Sequence, residues 1–180
     1  MSVQIQGGSG NVLDVNKRGE VLAAASVTPE IIKTGLADGD SYIWCSTDIN
    51  VAAAGTLLAV RNDSSTQRLV ITRIIIVGGD VTSRYEIHRV NVAYGATGTD
   101  VVGMNLANRG AIADVAADAN ETQNAQVAAN VFMEAALTTK KSVDLRVGIV
   151  LGYGDALVCD QVTESTAVSC TFFGYFVDNN

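Results

Sequence analysis

The segment Gln67-Arg-Leu-Val-Ile-Thr-Arg-Ile-Ile-Ile-Val77 constrains the fold more than any other stretch of the chain. Its β-branched side chains lose rotamer freedom in a helix and pack well on a pleated sheet. The polar turn Asn62-Asp63-Ser64-Ser65 opens it and Gly78-Gly79-Asp80 closes it. The same bias runs through the whole sequence. Twenty-four Val, 12 Ile and 15 Thr make 51 β-branched residues of 180, beside 17 Gly and one Pro. A chain of this length can bury a sizeable core without metal or disulfide staples, and 48% apolar residues exclude intrinsic disorder. The reading is a strand-and-turn protein.

Residues 1–19 are polar and Gly-rich, with Gly7-Gly8-Ser9-Gly10 at their centre, and read as a flexible N-terminal arm. Residues 20–180 read as one β-sandwich domain. Its expected strands are 20–25, 41–46, 55–61, 67–77, 84–92, 126–136, 143–151, 156–162 and 165–177. The short loop between 56–61 and 67–77 predicts a hairpin. Residues 94–110 read as a long connection. Ile112, Val115, Ala116 and Ala119 fit the spacing of a short helix over 112–119. Gly152-Tyr153-Gly154-Asp155 reads as a turn. Eight or nine strands without a repeat period predict an all-β antiparallel sandwich, most simply a jelly roll.

Charge and motif content point away from catalysis and nucleic acid. The formal net charge is −7, and the longest basic pairs are Lys17-Arg18 and Lys140-Lys141, which is no nucleic-acid footprint. The longest uncharged run, Ser165 to Val177, is too short and too polar for a membrane span, and the start shows no secretory signal pattern. One histidine, His88, excludes poly-His metal sites. It lies in the alternating strand Arg84-Tyr-Glu-Ile-His-Arg-Val-Asn-Val92, which points Tyr85, Ile87 and, further along, Val90 and Val92 inward and puts His88 on the polar face with Glu86. No nucleophile frame such as GxSxG accompanies it. Asp38, Asp40 and Asp155 could be drawn into a calcium loop, but Trp44 and Cys45 follow where ligands are needed, so turn chemistry explains them better. Gly95-Ala-Thr-Gly98-Thr lacks the lysine of a phosphate loop. Arg61, Arg68, Arg73, Arg84, Arg89 and Arg146 fall on strands and suit cross-strand or inter-subunit ion pairs. Cys45, Cys159 and Cys170 sit among β-formers with no CxxC and read as three buried thiols, as in a protein made in a reducing cytoplasm. Asn62-Asp-Ser and Asn120-Glu-Thr match the glycosylation pattern and carry no weight without a signal sequence. The expectation is no catalytic, cofactor-binding or metal residue and no cofactor.

Gly10-Asn-Val-Leu-Asp-Val-Asn-Lys-Arg-Gly-Glu-Val-Leu22, Gly55-Thr-Leu-Leu-Ala-Val-Arg-Asn-Asp-Ser64, Arg68-Leu-Val-Ile-Thr-Arg-Ile74, Leu151-Gly-Tyr-Gly-Asp-Ala-Leu157 and Phe173-Gly-Tyr-Phe-Val-Asp178 give the chain a further character. In these stretches it resembles tailed-bacteriophage virion proteins, and specifically the small jelly-roll proteins that decorate or cement phage heads. The resemblance is one of style and carries no functional residue across. It implies a non-enzymatic homo-oligomer, a trimer, bound to the major capsid protein on the head surface, with no nucleic-acid or membrane partner. The alternative is a tail or receptor-binding β-sandwich module that recognises host carbohydrate. A cupin-like enzyme would need more metal-binding residues than one histidine allows.

Overall fold

The computed structural model describes residues 4–6, 12–14, 41–51, 55–90, 98–106, 115–121, 130–163 and 165–179. Thirteen strands span them: β1 (Gln4–Gln6), β2 (Val12–Asp14), β3 (Ser41–Val51), β4 (Gly55–Asn62), β5 (Gln67–Val77), β6 (Ser83–Val90), β7 (Thr99–Asp100), β8 (Met104–Asn105), β9 (Val115–Glu121), β10 (Val131–Leu137), β11 (Ser142–Leu151), β12 (Ala156–Gln161) and β13 (Ser165–Asp178). No α-helix occurs among the described residues. Within the segment read as the arm, β1 and β2 form a separate antiparallel ladder. The strand expected at 20–25 lies outside the described residues.

The body is all-β and consists of two antiparallel sheets, consistent with a β-sandwich. One sheet has the order β11-β5-β13-β3-β8, the other β10-β6-β12-β4-β9-β7. The long ladders are nested. β3 pairs with β13, β4 with β12, β5 with β11 and β6 with β10. The long strands therefore behave as one long hairpin wound into two layers. Each step along either arm of that hairpin, from β3 to β6 and from β10 to β13, crosses from one sheet to the other. The first long strand lies against the last, with Ser41 opposite Tyr175.

Alternation sets the core. Leu69, Ile71, Ile74 and Ile76 of β5 point inward against Trp44, Phe172 and Phe176 from the same sheet, and against Leu58, Val60, Tyr85, Ile87, Leu157 and Cys159 from the facing one. Each fully buried aliphatic side chain in this cluster contributes about 1.5–3 kcal/mol of transfer free energy. β4 and β12, interior strands of their sheet, are buried on every residue but Arg61, on both faces.

Two local expectations give way. β4 and β5 form no hairpin: they lie in different sheets, and Asn62–Thr66 is an arch between layers. Short loops can join two layers as readily as two neighbours when each strand finds better partners elsewhere. β4 takes β12 and β9, and β5 takes β11 and β13. The helix expected over 112–119 is, in its described part, the strand β9, with Ala117 opposite Val60 and Ala119 opposite Leu58. Alanine's helix propensity is a few tenths of a kcal/mol per residue, and pairing with β4 overrides it. In the connection at 94–110, described from residue 98 to 106, two short strands attach to opposite sheets.

The ends of the sandwich are tied by Asn62. Its amide nitrogen donates to the carbonyls of Gln67 at 2.9 Å and Leu151 at 3.0 Å, and its side-chain oxygen accepts from the Ser64 amide at 3.0 Å. Its backbone bonds the β11–β12 turn, donating to Asp155 O at 3.0 Å and accepting from Gly154 N at 2.8 Å. Gly154 takes the left-handed φ of 79° that this turn requires.

Candidate functional site

The only concentration of buried charge among the described residues lies on the outer face of the six-stranded sheet, away from the core. Period-two alternation places Arg84, Glu86, His88 and Val90 of β6 on this face, with Ala156, Val158 and Asp160 of β12 beside them. One end is apolar, a cluster of Ala59, Val90, Ala156 and Val158. The other end is polar: Thr56, Glu86, His88 and Asp160 are all buried.

The register puts Asp160 directly opposite Glu86, an arrangement of like charges that is unfavourable on its own. His88 lies between the two. Its Nε2 is 3.1 Å from Asp160 Oδ2 and 3.5 Å from Glu86 Oε2, close to both carboxylates but hydrogen-bonded to neither. The remaining oxygen of each carboxylate has its own donor: Thr56 Oγ1 donates to Asp160 Oδ1 at 2.6 Å, and Arg84 Nη2 sits 3.0 Å from Glu86 Oε1. The Thr56–Asp160 bond therefore ties β4 to β12 through side chains as well as through the ladder.

This geometry does not assemble a nucleophile. The Thr56 hydroxyl hands its proton to Asp160 and not to His88, so no hydroxyl–imidazole–carboxylate relay exists here. His88 is 1% exposed, which closes it to a substrate. Among the described residues, no group of three or more His, Cys, Asp or Glu side chains is placed to hold a metal ion.

The sequence expectation for His88 is corrected: it shares the face of Glu86 but is buried, not at the surface. Alternation identifies the face of a strand, not whether that face meets water. Asp160 was not singled out from sequence. The available signal was a carboxylate inside the otherwise buried run Ala156–Gln161, because a buried acid needs a partner.

The other residues considered from sequence do not converge on this cluster. Asp155 binds Arg89 and accepts from the Gly152 amide at 3.0 Å, as turn chemistry demands. Asp38, Asp40 and Gly95 lie outside the described residues, and Thr99 opens β7. Arg61 pairs with Asp63 at 2.6 Å, and Arg73 with Asp144 across β5 and β11 at 2.7 Å, while Arg146 lies 4.0 Å from Asp144. Arg73 also lies over the Phe173 ring, 5.2 Å from its centroid. Arg68 is exposed on β5. Cys159 and Cys170 are buried thiols, but Cys45 is exposed, on the outer face of the five-stranded sheet, where it accepts from Thr171 Oγ1 at 3.1 Å. The expectation of three buried thiols is corrected for Cys45, whose β-rich neighbours fix a strand and not its facing.

A second surface feature lies at the edge of the sandwich. From Val101 to Leu106 the chain passes from the six-stranded to the five-stranded sheet in extended form. Val101 N donates to Ala117 O at 2.7 Å and Leu106 N to Ser41 O at 2.9 Å. Gly103 presses on the indole of Trp44, where an added Cβ would fall 2.5 Å from Nε1. Fixed there, the alternate residues face water: Val102 is 78%, Met104 68% and Leu106 44% exposed. A row of apolar side chains held outward on an edge is unusual for an isolated domain.

No protein-family model, no curated protein and no solved structure matches the chain.

Proposed function

We propose that the chain is a non-enzymatic virion structural protein that decorates or cements the outer surface of a phage head as a homo-oligomer, a trimer, bound to the major capsid protein. It would be made in the host cytoplasm and end on the capsid surface. The sandwich on this reading is of jelly-roll type. What supports the fold type is the nested pairing β3·β13, β4·β12, β5·β11 and β6·β10, which is the wound-hairpin arrangement of two Greek keys.

The observation that carries the role is the outward row Val102, Met104 and Leu106. Residues 101–106 hold no charge in a chain of net charge −7. Copies of so acidic a chain repel at most of their surface, and this segment is where two copies can meet while burying apolar area and no carboxylate. The burial of His88 and the absence of a hydroxyl–imidazole contact beside it support a structural reading over an enzymatic one.

Light scattering tests the proposal. The native chain should run near three times 18.8 kDa, and Val102→Asp with Met104→Asp should return it to one copy that still unfolds cooperatively, with a thermal midpoint lowered only by the loss of association. A native protein that stays monomeric at all concentrations would contradict it. A second reading, a tail or receptor-binding module for host carbohydrate, draws on Tyr153, exposed at the tip of the β11–β12 turn as an amphipathic contact residue. Electron microscopy with a labelled copy separates the two by location.

A further inference from the structure

We propose that Cys159 and Cys170 form a disulfide site that staples the two sheets of the sandwich to each other. Cys159 is on β12 of the six-stranded sheet and Cys170 on β13 of the five-stranded sheet, and both are fully buried members of the same core cluster. Their strands are consecutive in the chain and lie in different sheets. Cys159 lies two residues before the end of β12. Cys170 lies five residues into β13, but register shifts on both sides of Val168, with Ala167 at a left-handed φ of 58°, draw it back toward the start of the strand. Both side chains thus enter the core from the end of the sandwich at which β12 gives way to β13.

Independent support comes from the surroundings of the Cys159 thiol. Burial, and after it the hydrogen bond with Cys170, push this thiol well above its ordinary value. Cys45 is excluded as a partner by parity. It pairs in register with Thr171, whose side chain lies on the face of β13 opposite to that of Cys170. Of the three possible pairings only one is open within a single chain.

The step balances with a low-molecular-weight disulfide such as oxidised glutathione. The Sγ–Sγ bond forms between Cys159 and Cys170 and the glutathione disulfide breaks. The two thiol protons and two electrons pass to two molecules of reduced glutathione. A protonated, buried thiol attacks slowly, so the bond should close by transient opening of the sandwich once the protein has left the reducing cytoplasm, and then persist.

The sequence supplies a direct readout. Residues 147–180 contain no Lys or Arg, so trypsin leaves both cysteines on one peptide, whereas Cys45 falls on the peptide 34–61. The full chain is refolded from urea with oxidised glutathione, its free thiols are blocked with a maleimide, and it is then digested. The 147–180 peptide should lose the mass of two hydrogens and take up no maleimide, and the 34–61 peptide should take up one. The Cys45→Ser variant should give the same 147–180 peptide. The oxidised protein should melt at or above the temperature of the reduced one, because a bond in reach of the native geometry constrains the unfolded chain without straining the fold. Two maleimides on the 147–180 peptide, loss of the bond in Cys45→Ser, or a lowered melting temperature would each overturn the proposal.

Discussion

Asn62 offers the sharpest quantitative test of how the two layers are held in place. Replacing it with alanine removes three hydrogen bonds at once: two donated to the carbonyls of Gln67 and Leu151, and one accepted from the Ser64 amide. A typical bond contributes about 0.5–1.5 kcal/mol net, and a buried group left without a partner costs about 1–3 kcal/mol. Asn62 is fully buried, so water does not replace the lost partners freely. If water reaches the Ser64 amide and one carbonyl, the expected loss is about 3 kcal/mol. Against a domain stability on the order of 10 kcal/mol, the urea midpoint falls by roughly a third. The slope of the urea transition should not change, because the native surface is the same. Asn62→Asp is the discriminating control. It keeps an acceptor for Ser64 but loses both donors and sets a carboxylate against two carbonyls, so it should be no better than alanine. A loss under about 1 kcal/mol for Asn62→Ala, or full rescue by aspartate, would refute the idea that the amide donors pin the β4–β5 arch to the end of β11.

Two further outcomes follow from side chains on the page. Asp80 accepts from Thr166, through hydroxyl and amide, and from Ser165, which lowers its pKa from 3.8 to about 2. A depressed carboxylate stabilises the fold above its unfolded pKa and ceases to as pH falls through its folded one. Urea midpoints should therefore decline between about pH 4 and pH 2, and Asp80→Asn should flatten that decline; an unchanged slope in the variant would count against the bonds to Thr166 and Ser165. His88→Leu removes the group between Glu86 and Asp160 and leaves the two buried carboxylates facing each other, so it should cost about 3 kcal/mol in chemical denaturation, whereas a neutral or stabilising effect would show that the cluster does not depend on the imidazole.

Much of the strand layout was legible in the sequence, and the reasons are local. Gln67–Val77 was marked residue for residue because β-branched side chains and flanking turn residues agree there. β11, β12 and β13 were found within a residue or so by the same agreement. What failed depends on partners distant in sequence. The Asn62 turn looks like a hairpin turn until the partners of β4 and β5 are known. Val115–Glu121 reads as helical because alanine favours helices, and only the edge of β4 makes it a strand. The polar cluster was half visible: Glu86 and His88 were placed on one face, but Asp160 is far along the chain and reaches them only through β12–β6 pairing. The exposure of Val102 and Met104 was not foreseen, since it depends on Gly103 resting against Trp44.

The central claim is that this sandwich acts as a structural unit of a virion by self-association and capsid binding. Imaging phage heads assembled with and without the protein tests it most directly. The account predicts added density on the outer head surface, grouped in threes, with occupancy lost in the Val102→Asp, Met104→Asp variant. A protein that never cosediments with heads, or that decorates them unchanged as single copies in that variant, would contradict it.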